Sequence, residues 1–267
     1  MDPILVVDCA TRLGAGAAGR VSVCGSHGGV YPAWLAARAG VRAVILNDAG
    51  VGKDGAGIGG LEWLERLGLA ACAVDAASAR IGDGADMLAL GTLSHANAQA
   101  EALGCRPGMT CREAAERLAD GAPVASARPP ELGESRERIP STGRREVWTV
   151  DSVSLVRESD RRAIVLTGSD GGLPGGLPDD MLAVDVFAAF FNDAGGGKDG
   201  AGYARLAVLD PRSIAAGTVW AGSARIGDGR STWETGVLSR VNATGHRLGL
   251  SEGMSAREAV ARLVGLA

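Results

Sequence analysis

The sequence is a tandem repeat, and this feature limits its fold more than any other. The eleven residues NDAGVGKDGAG at 47–57 return as NDAGGGKDGAG at 192–202. The seven residues SARIGDG occur at 78–84 and again at 223–229. In both pairs, the two copies are separated by the same number of residues. With a single two-residue insertion, the match extends over about 110 residues, which is the signature of a duplicated unit.

The equivalence includes the first strand-like runs of each unit. ILVVDCATRL aligns with VWTVDSVSLV, which pairs Asp8 with Asp151. VSVCGSHGG aligns with IVLTGSDGG, which pairs Ser26 with Ser169. Two such units predict a pseudo-two-fold arrangement, as in a homodimer of the ancestral unit.

Within each unit, short apolar runs alternate with stretches of helical spacing. In the first unit we predict strands at ILVVD, VSVCG, VRAVILND and AACAVDA, and helices at YPAWLAARAG and GIGGLEWLERLG. A longer helix is predicted over 83–104. Thr110 and Glu113, like Ser255 and Glu258 in the second unit, have the spacing of a capping box. The pattern predicts an α/β fold of two tandem βα repeat units with mainly parallel sheets, packed as a pseudo-two-fold dimer.

The chain of 267 residues is long enough for two units with their own cores. We place the first repeat unit at 1–120 and the second at 145–267. The segment 121–144 is rich in Pro, Ser, Gly and charge, which is typical of a linker.

Composition and net charge limit the kinds of partner that we expect this protein to bind. The net charge is −4 and no basic run is present, so we expect no nucleic-acid partner. The first residues do not resemble a signal peptide, and no apolar stretch reaches roughly 20 residues, so we expect no membrane association. Five cysteines without a CxxC pair predict a reduced, cytoplasmic protein. We leave open whether the protein forms a homo-oligomer.

The glycine-rich turn GSHGG at 25–29 follows a predicted strand and precedes a helix. Backbone N–H groups in such a turn, together with the helix dipole, attract an anion. Ser26 would expose a hydroxyl, His27 offers a base, and Gly28 and Gly29 offer backbone donors. The nucleophile-elbow pattern G-x-S-x-G is not met, because a cysteine replaces its first glycine. A plain glycine turn is the structural alternative.

The repeated Asn-Asp-Ala-Gly loop keeps a lysine and two aspartates in both copies, which a simple turn does not need. Lys53 beside Asp48 and Asp54 forms a charge-compensated set in which a partly buried lysine can act as a base. The further candidates are Asn47, Asn192, Asp193 and Lys198. A structural salt bridge is one alternative, and Mg²⁺ held by Asp48 and Asp54 is another. We otherwise expect neither a metal nor a cofactor.

The SARIGDG motif follows a strand and precedes a helix. Arg80 offers a planar fork for a carboxylate or an imide, while Ser78 and Asp83 would bind substrate or position Arg80. The equivalent candidates in the second unit are Ser223 and Arg225. Structurally, Asp83 could be a helix cap, and Arg80 could pair with Asp48.

Asn97 and Asn242 fall inside the predicted long helices, where asparagine is disfavoured unless it has a partner. They would either reach the site from beneath or cross the seam between the units.

These sets predict a small-molecule enzyme, a hydrolase acting on an amide, an imide or a carboxylate-bearing metabolite. Lys53 would be the base for Ser26 or Ser78, glycine N–H groups would stabilise the oxyanion, and Arg80 would anchor a polar or anionic substrate. The tandem Ser, Lys and Arg sets are similar in organisation to the cyclic-amide hydrolases of the cyanuric acid hydrolase and barbiturase type. Those enzymes have three repeats and other motifs, so no site residue is transferred.

Three alternatives stay open. A lyase or isomerase would use Lys53 and Asp48 to move a proton beside a carbonyl. A non-catalytic protein would bind a small anion in the same loops. A purely structural duplication would bind nothing. If one copy is active, we favour the first, which keeps His27; otherwise both copies contribute to one site across the seam.

Overall fold

The computed structural model describes residues 2–121, 127–176 and 182–266. It contains two mixed, mostly parallel β-sheets with interleaved helices, which confirms the predicted α/β class. Among these residues, no helix is long and apolar enough to cross a membrane.

The first sheet contains five strands in chain order. They are β1 (Ile4–Val7), β2 (Val21–His27), β3 (Ala43–Asn47), β4 (Ala70–Val74) and β5 (Leu93–Ala96). Neighbours run parallel, except that β5 is antiparallel to β4. The helices of this repeat are α1 (Val30–Arg38), α2 (Gly59–Arg66), α3 (Gly84–Leu90), α4 (Ala98–Ala102) and α5 (Cys111–Asp120).

The second sheet repeats this order with one strand added at its edge. Its strands are β6 (Arg136–Ile139), β7 (Val147–Val150), β8 (Ile164–Asp170), β9 (Ala188–Asn192), β10 (Ala215–Val219) and β11 (Leu238–Val241). The outer strands β6 and β11 are antiparallel to their neighbours. The α-helices that follow are α6 (Ala204–Leu209), α7 (Gly229–Thr235), α8 (Ala243–Arg247) and α9 (Ala256–Val264).

The central strands are apolar throughout because helices or loops cover both faces of each sheet. Every residue of β3, β4, β9 and β10 is buried. Each sheet accordingly separates two apolar clusters, one on each face. Where a parallel strand ends, its last residues lie at one edge of the sheet, and the repeated loops begin there.

The predicted long helix over 83–104 is wrong. The segment instead contains α3, the edge strand β5 and the short helix α4. Helix α3 ends at Gly91, whose backbone is extended. Asn97 is therefore not inside a helix but caps α4, where its Oδ1 accepts from Ala100 N–H at 3.0 Å. Asn242 caps α8 in the same way.

The predicted capping boxes are confirmed, and so is the helix cap considered for Asp83. The capping boxes of Thr110 with Glu113 and of Ser255 with Glu258 form at the starts of α5 and α9. Asp83 caps α3, since its side chain accepts from Asp86 N–H at 2.8 Å.

The segment predicted as a linker has structure of its own. Strand β6 lies within it and pairs with β7. Earlier in the segment, Pro130 O accepts from the Trp34 indole at 2.8 Å, so this part runs along α1. Residues 122–126 of the segment lie outside the described residues.

The two repeats meet through reciprocal contacts between equivalent residues, as the pseudo-two-fold arrangement requires. Lys53 N–H donates to Ala221 O at 2.8 Å, and Lys198 N–H donates to Ala76 O at 2.8 Å. The loops 47–57 and 192–202 form this contact, and we call them the seam loops. A small apolar cluster lies between them, made of Ala49, Ile81, Ala194, Ala201 and Ile226.

Candidate functional site

The lysines of the seam loops bind the opposite repeat. Lys53 Nζ donates to Thr235 Oγ1 at 2.8 Å and to Ser223 O at 3.3 Å. Lys198 Nζ lies 2.9 and 3.0 Å from the two carboxylate oxygens of Asp86. Both ammonium groups therefore join one repeat to the other, and neither contacts Ser26 or Ser78 among the described contacts.

The arginines of the SARIGDG motifs form reciprocal ion pairs across the seam. Arg80 pairs with Asp199, and Arg225 pairs with Asp54, with Arg225 Nη2 at 2.7 Å from Asp54 Oδ2. Arg80 also contacts Asp86 at 2.9 Å. The proposed structural pair of Arg80 with Asp48 is not the observed one. Most of the charged side chains that occur in both copies thus bind a partner in the other copy.

The remaining loop candidates hold backbone groups. Asn47 accepts from Ala49 N–H, and Asp48 accepts from the N–H groups of Gly50 and Ala76 at 2.9 and 3.0 Å. Asn192 and Asp193 make the equivalent bonds in the second copy. Ser78 donates to Asp75 O at 2.8 Å and accepts from Thr92 N–H, and Ser223 repeats this pattern.

These bonds leave the Mg²⁺ alternative without support in the geometry. The Asp48 carboxylate bonds backbone N–H groups, and Asp54 bonds a guanidinium. Within the described part of the chain, no group of three or more His, Cys, Asp or Glu side chains could hold a metal ion.

A cavity of about 490 Å³ lies between the repeats, beside the GSHGG turn, and we call it the seam cavity. Its polar walls come from equivalent positions of the two units. These are Cys9, Ser26 and His27 from the first repeat and Ser152, Ser169 and Asp170 from the second. Of the residues predicted for the site, Ser26 and His27 line this cavity, whereas the lysines of the seam loops and the arginines of the SARIGDG motifs are not part of its lining.

Ser26 is held in place at the wall of the cavity. Its Oγ accepts from Ala10 N–H at 3.0 Å and donates to Cys9 Sγ at 3.8 Å. Ser169 Oγ accepts from Val153 N–H at 2.9 Å in the equivalent position. Cys9 is partly exposed, whereas the other four cysteines are buried. The cavity therefore presents one accessible thiol beside a fixed hydroxyl.

His27 is a hydrogen-bond donor rather than the predicted base. Gly29 N–H donates to His27 Nδ1 at 3.1 Å, so the neutral ring carries its proton on Nε2. Burial lowers the pKa of His27 below its ordinary value, more than the nearby negative charge of Asp170 raises it. The imidazole is consequently neutral near pH 7 and presents an N–H group.

The glycines of the turn do not offer free donors. Gly28 N–H donates to Asn47 O at 2.7 Å, and Gly29 N–H is used by His27. A Cβ at Gly28 would lie 2.7 Å from Gly57 O, so this position needs glycine because the seam loop approaches it closely. These two residues shape the turn, and the expected backbone oxyanion hole is not formed by them.

Two carboxyl groups of the cavity have raised pKa values. Burial raises the pKa of Glu134, and the charge of Asp151 adds to this effect, while hydrogen bonds from Tyr31 and Ser152 oppose it. Burial also raises the pKa of Asp151, against the N–H groups of Ser135 and Gly229. A raised pKa favours the protonated form of a carboxyl group, which suits a general acid.

Sequence reasoning missed Cys9, Tyr31, Glu134, Asp151 and Asp170. A usable signal was present, because Cys9 aligns with Ser152 and His27 with Asp170, two differences within otherwise matching motifs. His27 was predicted as a base although its counterpart is Asp170, and the two side chains line the same cavity. Differences between the copies, rather than identities, indicate this site.

Comparison with protein-family models, curated proteins and solved structures finds no match to this chain. The site's chemistry is therefore argued from its own geometry.

Proposed function

We propose that the protein is a small-molecule hydrolase that cleaves an amide bond in the seam cavity. One observation supports this above others. The cavity, with a volume suited to a metabolite, brings a thiol, a neutral imidazole and carboxyl groups of raised pKa to one space. The first copy supplies Cys9 and His27, and the second supplies Asp151 and Asp170.

In this proposal Cys9 is the nucleophile, and Ser26 fixes the position of its sulfur. Sγ attacks the amide carbon and transfers its proton to a cavity carboxylate. His27 Nε2–H donates to the carbonyl oxygen as negative charge develops there. The leaving amine takes a proton from a carboxyl group. Water then attacks the thioester, which releases the acid and restores the thiol.

This mechanism replaces the expected Ser/Lys set. Lys53 Nζ is occupied by Thr235 Oγ1 and Ser223 O, so we assign it to the seam and not to proton transfer. Ser26 and His27 are the residues of the original prediction that keep a role.

A panel of acyl and aminoacyl p-nitroanilides tests the proposal. Wild-type protein should release p-nitroaniline, and Cys9→Ala should lower kcat by more than about 100-fold, as expected for loss of a nucleophile. Intact-mass measurement should show an acyl adduct on wild-type protein only. Lys53→Met is the control and should retain kcat. Turnover unchanged in Cys9→Ala, or loss in Lys53→Met alone, would restore the Lys53 mechanism.

The alternative of a lyase or isomerase uses the same cavity, since carboxyl groups of raised pKa also suit proton transfer beside a carbonyl. Deuterium incorporation from D₂O into recovered substrate, without amine release, would favour it over hydrolysis.

A further inference from the structure

The seam cavity has an excess of negative charge. Three carboxyl groups, those of Glu134, Asp151 and Asp170, line it against the single guanidinium of Arg12. Arg12 is half exposed and lies 3.5 Å from Asp8, so its charge is already partnered. Among the described residues, none of the three lining carboxylates has a lysine or arginine within 4 Å. The buried guanidinium of Arg205 interacts with the charge of Asp170, so Glu134 and Asp151 are the carboxyl groups of the described lining that have no cation beside them.

Because the unit is duplicated, the surroundings of Asp151 can be compared with those of the equivalent residue in the first copy, which has a cation beside it. Asp8 and Asp151 are equivalent, and each accepts a backbone N–H from the following SARIGDG motif at 3.2 Å. Arg12 stands beside Asp8, but the residue equivalent to Arg12 is Leu155. Asp151 instead accepts from Ser135 N–H at 2.6 Å, next to Glu134. The second copy has a second carboxyl group where the first copy has a cation.

His27 gives an independent indication that a ligand binds here. It is 8% exposed and lines the cavity. Its Nδ1 is occupied, and no partner for Nε2 is found among the described residues. A Cβ at Gly227, another lining residue, would lie 3.4 Å from Cε1, so this side of the ring faces the cavity. The Nε2–H group is therefore available to an acceptor on a ligand in the cavity.

Apolar side chains also line the cavity. They include Pro32 and Leu35 of α1 and Val153 and Val156 of the second repeat. The cavity thus combines carboxyl groups, an N–H donor and apolar surface.

We infer that the substrate is an organic cation, an amide bearing an ammonium group that lies between Glu134 and Asp151 and a carbonyl oxygen that accepts from His27. An apolar body would contact the α1 side of the cavity. The inference rests on the proposed function and names its substrate class, and it reverses the expectation of an anionic substrate.

Calorimetric titration of the Cys9→Ala protein with two probes tests this inference without turnover. Leucinamide and 4-methylpentanamide share the apolar body and the amide, and only leucinamide carries an ammonium group. Leucinamide should bind with a Kd at least about tenfold lower, as expected for charge-assisted hydrogen bonds. Glu134→Gln should abolish this preference, whereas the exposed, nearby Glu131→Gln should keep it.

A second variant guards against misfolding of Glu134→Gln. Leu155→Arg recreates beside Asp151 the cation that Arg12 provides beside Asp8, and it should weaken leucinamide binding while leaving 4-methylpentanamide unaffected. Equal Kd values for the two probes in the parent protein, or no binding of either, would overturn the inference.

The two proposals fail separately. Hydrolysis of neutral acyl anilides without any ammonium preference would leave the hydrolase standing and remove the cation site. Preferential binding of leucinamide by a protein that hydrolyses none of the anilides would do the reverse.

Discussion

At the scale of the residue, Asp86 shows how two nearly identical loops acquire different electrostatics. Its side chain is 7% exposed and contacts Lys198 and Arg80. Burial raises the pKa of Asp86, but the Arg80 N–H and the Lys198 ammonium lower it by more, so the net shift is downward. The equivalent of Asp86 is Ser231, so Lys53 meets neutral oxygens instead.

Lys198→Met should therefore destabilise the protein more than Lys53→Met. The first change removes two bonds to a buried carboxylate and should lower the free energy of unfolding by about 2 kcal/mol. The second removes bonds to a hydroxyl and a carbonyl and should cost about 1 kcal/mol. Urea denaturation of both variants measures the difference. Equal losses would mean that Arg80 alone compensates Asp86.

At the scale of the element, Asn97 joins three pieces of its repeat. Besides capping α4, its Oδ1 accepts from Ala71 N–H at 3.0 Å, and its Nδ2 donates to Leu69 O and Leu61 O at 2.9 and 3.2 Å. The side chain therefore ties α4 to β4 and α2. Asn242 repeats the bonds to the β10 strand.

Asn97→Ala should lower the free energy of unfolding by about 3 kcal/mol, since it leaves buried backbone groups and the first turn of α4 without their hydrogen-bond partner. Thr110→Ala, which removes an exposed cap only, should cost about 1 kcal/mol. Thermal denaturation compares them. An Asn97→Ala loss no larger than that of Thr110→Ala would show that Asn97 acts as a cap and nothing more.

The segment around Asn97 also shows where sequence reasoning failed. Apolar residues over 83–104 happen to recur at helical spacing, and periodicity cannot reveal a four-residue edge strand between two short helices. The second copy held the better signal, because LSRV (238–241) has a β-branched residue where the first copy, LSHA (93–96), has alanine. The other strands and helices predicted for the first unit were correct because their patterns were longer and bounded by glycine, whereas β6 was missed in the segment predicted as a linker.

At the scale of the whole molecule, the duplication predicted the α/β fold, while the site needed information that no single motif contains. The charged loops were the most conspicuous repeated feature, yet most of their charges bind the other repeat. The seam cavity takes residues from positions far apart in the chain, and these share no local pattern. Ser26 and His27 were found because they lie at the end of a strand and beside a glycine-rich turn. Glu134 falls in the segment predicted as a linker, and Asp151, although it follows β7, was noted only as the counterpart of Asp8.

The contact between the repeats is close enough to test with one methyl group. A Cβ at Gly50 would lie 2.9 Å from Gly195 Cα, whereas a Cβ at Gly55 would meet nothing within 4 Å. Both glycines have φ near +70°. Gly50→Ala should thus lower the free energy of unfolding by about 2 kcal/mol more than Gly55→Ala, which isolates the packing cost from the backbone strain. Matched losses in chemical denaturation would argue against a tight seam.

The two copies differ at equivalent positions, with His27 opposite Asp170 and Cys9 opposite Ser152. These differences can be used because the copies are covalently connected. Two separate chains that had diverged at these positions would associate at random, and only a fraction of the dimers would combine one of each kind. Tandem fusion removes that mixing, because each half has its partner at high effective concentration. Every molecule then combines one copy of each kind. The two sides of a symmetrical interface can therefore become different without first evolving specificity for the other kind of chain.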